Sequence, residues 1–295
     1  MKEKAYLRKT IIYTIVLLLG LSCLIPMWNV VAISLSGSEA VMANRVGLLP
    51  VKLTFAAYEK IISDHQFWRS FGISVFRVIA ALLLNLVLIV TMAYPLSKSS
   101  KHFTSRKLFM NIMIFAMLFS GGMIPTYLVV KNLGLINSVW SLILPGAVPI
   151  GSVILVMNFF RGVPKSLEEA AAIDGASPWQ TLWKVYIPMS LPSLATVSLF
   201  SIVGSWNDFF GGLLYMTRPE NYPLMTYIQS LTVNIADTIQ NSTGITAEQL
   251  QNLTEVSNKN LNAAKIVVAV LPLLLIYPFM QKYFVKGIVV GSVKE

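Results

Sequence analysis

Six long apolar blocks, near residues 11–33, 70–96, 108–130, 139–160, 190–214 and 263–284, leave few folds open to this chain. A helix needs about 20 mostly apolar residues to cross a hydrocarbon core of roughly 30 Å, and each block meets that length. Charged residues make up 12% of the 295, where a soluble domain carries about 25% because its surface faces water. The expected fold is therefore all-α: about six transmembrane helices in a single membrane-spanning domain over 1–295, with the bilayer as solvent for much of its surface. Pro26, Pro125, Pro145, Pro149, Pro192 and Pro272 fall inside the blocks. Membrane helices tolerate them because neighbours re-satisfy the freed backbone groups.

The net charge of +10 is distributed by position. Lys2, Lys4, Arg8 and Lys9 form one cluster; Lys98, Lys101, Arg106 and Lys107 a second; Arg161, Lys165 and Lys184 a third; Lys282, Lys286 and Lys294 a fourth. They stand at every second block boundary, the arrangement expected of cytoplasmic segments, which places both termini in the cytoplasm. A nucleic-acid surface would gather such charge on one soluble face, so no nucleic-acid partner is expected. Cys23 is the only cysteine, and His65 and His102 are the only histidines. That excludes a disulfide within the chain and a Cys/His zinc site. Cys23 follows a basic start and an apolar run, as a lipoprotein acylation site would, but the run continues well past it, so the first block reads as a retained anchor.

Two outer segments are long, 34–69 and 215–262. They are either caps over helix ends or a surface for something outside the membrane. Asn241-Ser242-Thr243 and Asn252-Leu253-Thr254 fit the glycosylation sequon, a pattern common by chance, and carry no weight.

The inner connection between the fourth and fifth blocks, 161–189, is far longer than the usual 2–8 residues. It parses as two short helices. Ser166 with Glu169 reads as a capping box, with Pro164 just upstream. Glu168 and Glu169 fall in the first turn, where the helix dipole favours negative charge. Gly175 is placed to end that helix after Asp174. Ser177 and Gln180 form a second capping box, with Pro178 at the first helical position. Trp179, Leu182 and Trp183 give an apolar stripe, and Pro188 is expected to stop the helix. The segment is either a well-capped connection or a docking surface, and its length and specification favour the surface.

Glu169-Ala170-Ala171, Gly175 four places on, and Val185-Tyr186-Ile187-Pro188 together resemble the EAA loop of bacterial ABC import permeases, E-A-A-x3-G-x9-I-x-L-P. Val185 stands for Ile and Ile187 for Leu, both conservative. The stretch Leu167–Ser177 resembles the sugar-permease branch related to the maltose transporter. Phe119–Tyr127, Lys131–Asn137 and Tyr277–Gly287 are similar to its polysaccharide-permease subfamily, the lipoprotein-associated type. The resemblance implies that Glu168, Glu169, Ala170, Ala171, Asp174, Gly175, Ile187 and Pro188 form a coupling surface seated in a cytoplasmic ATPase, with Glu169 meeting a basic group there. It also implies a second homologous permease, two ATP-binding subunits, an extracellular solute-binding lipoprotein and an oligosaccharide substrate moved by alternating access.

A charge near the centre of a membrane helix costs about 2.5–3.5 kcal/mol on insertion scales, so it should face a cavity or a partner. Asp208, within Trp206-Asn207-Asp208, is the candidate, and the resembling permeases carry a similar run near the translocation path. Asn207 and Asp208 either bond sugar hydroxyls, with Trp206 stacking on a sugar face, or form an interhelical bond that fixes packing. Arg77 either pairs with a carboxylate or snorkels outward. Ser120-Gly121-Gly122 with Pro125 is expected to mark a close-packed or broken helix beside the same path.

No G-x-x-x-x-G-K-[ST] phosphate loop is present, and no metal-ligand or catalytic set appears. The chain is expected to bind no cofactor and to catalyse nothing, with ATP and magnesium handled by the partner ATPase. A channel, a secondary carrier or a membrane-embedded enzyme would leave the 161–189 segment without a purpose; an ABC permease for another solute remains the alternative within the class.

Overall fold

A computed structural model describes residues 2–100, 103–231 and 258–292, with side chains described for 9–100, 103–231, 259–279, 281 and 282. Every regular element among them is helical. In chain order these are α1 (Lys2–Ser34), α2 (Ser38–Met42), α3 (Ala56–Ser63), α4 (His65–Ser97), α5 (Arg106–Leu118), α6 (Met123–Asn132) and α7 (Ile150–Arg161). Then follow α8 (Lys165–Ile173), α9 (Pro178–Thr181), α10 (Ile187–Met189), α11 (Leu191–Asn207), α12 (Phe210–Tyr215) and α13 (Asn258–Ser292). Short 3-10 turns occupy Val139–Leu142 and Leu144–Gly146 ahead of α7.

Among the described residues, three stretches, Lys9–Ser34, His65–Ser97 and Lys259–Phe279, are long and apolar enough to cross a membrane unbroken. The other expected crossings are bent. α5 and α6 meet at 112° across residues 119–122, the 3-10 turns and α7 at 50°, and the segment Pro178–Met189 and α11 at 82°. Counting each bent pair once gives six spans. The 112° break falls at Ser120-Gly121-Gly122, as the small residues suggest: Gly122 takes φ 83, a left-handed conformation that side-chain-bearing residues avoid. The fifth block differs from the expected 190–214. Its helix stops at Asn207, and a separate short helix resumes at Phe210.

The described chain divides into two compact units. Of the described residues, the first holds 2–68, 228–231 and 258–272. Here the first outer segment is tied down by named bonds. The Trp28 indole donates to the Leu48 carbonyl at 2.7 Å, Asn29 donates to the Gly47 carbonyl at 2.7 Å, and the Gly37 amide donates to the Val51 carbonyl at 3.0 Å. Lys52 pairs with Glu39 and holds its carboxyl below the ordinary value. Lys265 of α13, its side chain 2% exposed, bonds the Asp64 carboxylate at 2.7 Å. The other Asp64 oxygen accepts from the Phe67 amide at 3.1 Å and caps the first turn of α4. Most of the second outer segment, with both sequons, lies outside the described residues, as do Lys101 and His102.

Of the described residues, the second unit holds 69–100, 103–227 and 273–292. Its apolar core joins the second half of α4 (Ile89, Ala93, Leu96) to α7 (Val153, Val156, Phe160), to Leu182 and Tyr186, and to Val197 of α11. In lipid such a core is held by close packing rather than by removal from water. Asn85 adds a polar tie: its amide oxygen accepts from Ser201, while its nitrogen donates to the Ala147 and Ala81 carbonyls.

Candidate functional site

The connection 162–189 is built from the local chemistry of its residues. α8 ends in a Schellman arrangement, in which the Ala176 amide donates to the Ala171 carbonyl at 2.9 Å and the Gly175 amide donates to that of Ala172 at 3.1 Å. Gly175 takes φ 73, so the expected helix end is where the sequence puts it. The second capping box also forms: the Ser177 hydroxyl accepts from the Gln180 amide at 3.3 Å, and the Gln180 side chain accepts from the Ser177 amide at 2.8 Å. The first capping box does not. α8 begins at Lys165 with Pro164 as its cap, which places Ser166 inside the helix, and no side chain caps that end.

Pro188 does not stop the second helix either. The chain passes through a π-type turn over Leu182–Tyr186, in which the Ile187 amide donates to the Leu182 carbonyl, and continues as α10 to Met189. Proline offers no N–H to the Lys184 carbonyl four residues back, and a locally wider turn absorbs that loss. The break comes at Ser190, where α11 starts with Pro192 in its first turn.

The two adjacent glutamates of α8 have separate surroundings. Glu168 accepts from Lys98 at 2.7 Å with one oxygen and from the Tyr186 hydroxyl at 2.6 Å with the other. The Lys98 ammonium also donates to the Tyr186 oxygen at 2.8 Å and lies 4.4 Å and 4.1 Å from the Tyr94 and Tyr186 ring centroids. Tyr186 packs edge-on against Tyr94 and Phe160. One carboxylate thus fastens α8 to the end of α4 and to the π turn. Glu169 is exposed and makes no ion pair among the described residues. Ala170 is exposed and Ala171 half-buried, Asp174 and Gly175 are exposed, and Ile173 is 87% exposed. Trp179 and Trp183 are exposed, whereas Leu182 is buried in the core. The tryptophans therefore leave the expected stripe and face outward.

Asp208 lies in the gap between α11 and α12. Its Oδ2 accepts from Arg77 of α4 at 2.5 Å, and its Oδ1 accepts from the Gly211 amide at 2.9 Å. The Arg77 guanidinium also donates to the Asp208 carbonyl at 3.1 Å and to the Leu142 carbonyl at 3.5 Å, while its Nε is buried without a partner. Arg77 does not snorkel; it pairs. Asp208 in turn makes the interhelical bond rather than standing free. A cleft of about 260 Å³ opens beside the pair, lined also by Asn85, Ser141, Ser205 and Tyr215. Trp206 is buried edge-on against Phe71 at 5.7 Å, so its ring is packing and is not open to a sugar face. Asn207 is exposed and ends α11. Ser120, Gly121, Gly122 and Pro125 are exposed and do not line this cleft.

Sequence reasoning missed Gly211 and Gly212, which follow Asp208. A Cβ on Gly212 would lie 2.0 Å from the Thr226 hydroxyl oxygen, and one on Gly211 would lie 2.6 Å from Asp208 Oδ2. The Thr226 hydroxyl donates to the Phe209 carbonyl at 2.9 Å across that close approach. The signal was present as a glycine pair within an apolar block, three residues after its one acidic residue. Lys98 and Lys265 were also missed as partners, because the sequence alone does not say which lysine reaches inward.

Residues 86–290 match the family described as binding-protein-dependent transport system inner membrane component. The chain belongs to that family. Protein LplC of Bacillus subtilis (strain 168) is 41% identical over 276 residues, covering 93% of this chain and 90% of the relative. The polygalacturonan/rhamnogalacturonan transport system permease protein YtcP of the same organism is 37% identical, covering 96% and 97%. Among solved structures, a chain from a bacterial ABC transporter involved in the import of the acidic polysaccharide alginate matches with a TM-score of 0.84 and 32% identity, over 95% of this chain and 97% of that one. The matched family region contains the whole 162–189 connection and Asp208, whereas Arg77 lies ahead of it.

Proposed function

We propose that this chain is one permease subunit of an ABC importer that moves an oligosaccharide or polysaccharide fragment, with α8 to α10 as the surface that receives motion from an ATPase. The observation that carries this reading is the exposed face of the 162–189 connection. There a helix stopped at Gly175 offers a free Glu169, small Ala170 and Ala171, and outward Ile173, Trp179 and Trp183. Apolar side chains of that size at a helix end want a partner, and small residues beside them permit a close backbone approach. Glu168, Lys98 and Tyr186 tie that surface to α4 and the π turn, so a rigid-body push on α8 moves packed spans rather than a loose loop. The relatives' names, polygalacturonan/rhamnogalacturonan and alginate transport, support a carbohydrate cargo.

On this reading the assembly contains a second permease, two ATP-binding subunits and an external solute-binding protein, and ATP and magnesium stay with the ATPase. Tagged chain purified in mild detergent from native membranes is expected to bring down an ATPase subunit and a second permease. Glu169→Lys combined with Gly175→Trp is expected to lose the ATPase and keep the second permease. Recovery of the chain alone, or an ATPase indifferent to both substitutions, overturns the reading. Uptake of labelled oligosaccharides by the intact complex then identifies the cargo.

A further inference from the structure

We propose that the cleft beneath α8 is a binding site for the phosphate headgroup of an anionic phospholipid. The cleft has a volume of about 670 Å³ and lies among the end of α4, the start of α5, the end of α7 and α8. Lys98, Arg106, Arg161 and Lys165 line it, opposed by Glu168 and Glu169. Lys98 is committed to Glu168, as described above, which leaves three cations facing one exposed carboxylate. The two arginines are held in place by one acceptor. Arg106 Nε donates to the Leu96 carbonyl at 2.9 Å, and Arg161 Nη2 donates to the same oxygen at 3.4 Å. Arg161 Nη2 also donates to the Met157 sulfur at 3.4 Å, and the shared acceptor sets the two guanidiniums side by side at the C-terminal end of α4 with donors to spare.

Positioned guanidiniums are the protein's usual means of binding phosphate, since their fork of donors matches phosphate oxygens. The surface beside the cleft suits a lipid rather than a free ion. Leu108, Phe109 and Ile112 of α5 are exposed on the helix that begins at Arg106, and they continue into a bent span. A headgroup in the cleft would leave its acyl chains against that apolar surface. Basic pockets between membrane helices at the interface bind anionic headgroups by this combination of charge and adjoining apolar wall. The proposal rests on the membrane reading of the spans, and it does not depend on docking of an ATPase at α8.

The test is native mass spectrometry of the complex released from nanodiscs of phosphatidylglycerol and phosphatidylcholine in equal parts. Wild type is expected to retain phosphatidylglycerol preferentially. Arg106→Gln with Arg161→Gln is expected to lose that preference by roughly fivefold for each basic side chain removed. Arg106→Lys with Arg161→Lys keeps the charge but not the donor forks, so it is expected to keep part of the preference, less than wild type and more than the Gln pair. Equal preference in wild type and the Gln pair overturns the proposal. So does a Lys pair no better than the Gln pair, which would assign the effect to the lost bonds on Leu96 rather than to charge at the headgroup, and so does displacement of the lipid by millimolar inorganic phosphate, which would mark a free-anion site. Wild-type chain recovered without an ATPase but with its lipid preference intact would count against the coupling reading alone.

Discussion

Arg77 holds Asp208 twice, reaching its carboxylate at 2.5 Å and its backbone carbonyl at 3.1 Å. One side chain of α4 therefore fixes both the charge and the main chain of the residue where α11 breaks. The two partners are buried unequally, with side-chain exposures of 4% for Arg77 and 36% for Asp208. Removing the carboxylate strands a guanidinium inside the protein. Removing the guanidinium leaves an acid that still meets the cleft. Asp208→Ala is expected to cost about 3–5 kcal/mol, the usual penalty for stranding a buried charge. Arg77→Met is expected to cost about 1.5–3 kcal/mol, the range for hydrogen bonds to charged groups. Unfolding in mixed micelles, with the Arg77→Met/Asp208→Ala double variant closing the cycle, checks the order; equal losses would place the pair in a more even environment.

Gly212 makes a second prediction about the same break. A methyl there would sit 2.0 Å from the Thr226 hydroxyl oxygen and 2.8 Å from the Thr226 Cβ. Gly212→Ala is expected to destabilise by about 1–3 kcal/mol, the range for overpacking. Thr226→Ala removes the hydroxyl but not the Cβ, so it is expected to restore only part of the loss. Gly146→Ala has open space within 4 Å and φ outside the left-handed region, so it serves as the tolerant control. Thermal melts of the four proteins in one detergent decide the matter.

What could be read in advance follows from the range of the interactions involved. The six apolar blocks, the break at Ser120–Gly122, the stop at Gly175 and the Ser177/Gln180 capping box depend on residues within a few places of one another. Sequence displays such neighbours directly. The Ser166/Glu169 box failed for a local reason: the same S-x-x-E spacing serves only if the serine is the cap, and Pro164 took that place. The continuation past Pro188 depended on a π turn whose cost is offset by burial of Leu182 and Tyr186 against α4 and α7, which sequence does not display. The pairing of Arg77 with Asp208, 131 positions apart, and of Lys265 with Asp64, 201 apart, needs the fold itself. So does the separation of Glu168 from Glu169, which share a helix turn but not a face.

That separation is testable. Glu168→Gln keeps the shape but weakens its bonds to Lys98 and the Tyr186 hydroxyl, whereas Glu169→Gln breaks no hydrogen bond or ion pair among the described residues. Glu169→Gln is expected to leave stability within about 0.5 kcal/mol, as surface substitutions do. Glu168→Gln with Lys98→Met is expected to show a coupling energy of about 0.5–3 kcal/mol in a double-mutant cycle. Co-purification of an ATPase should respond in the opposite order, falling with charge reversal at Glu169 while the protein stays folded. A destabilised Glu169→Gln would contradict its free position.

Lys265 supplies the last case. Its side chain is 2% exposed and its ammonium bonds Asp64, and Asp64 also caps α4 through the Phe67 amide. Lys265→Met replaces the stem with an apolar chain of similar length but leaves the carboxylate, itself 23% exposed, without its cation. Asp64→Asn keeps an oxygen for the Phe67 amide and removes the charge. The single Lys265→Met change is expected to cost about 3–5 kcal/mol, as breaking a buried pair does. Adding Asp64→Asn is expected to recover most of it, since the remaining amide can still cap the helix and no charge is left to desolvate. Melting temperatures of the two variants and wild type test this; a double variant no more stable than Lys265→Met alone would show that the ammonium's other contacts, not the charge balance, hold this part of the first unit together.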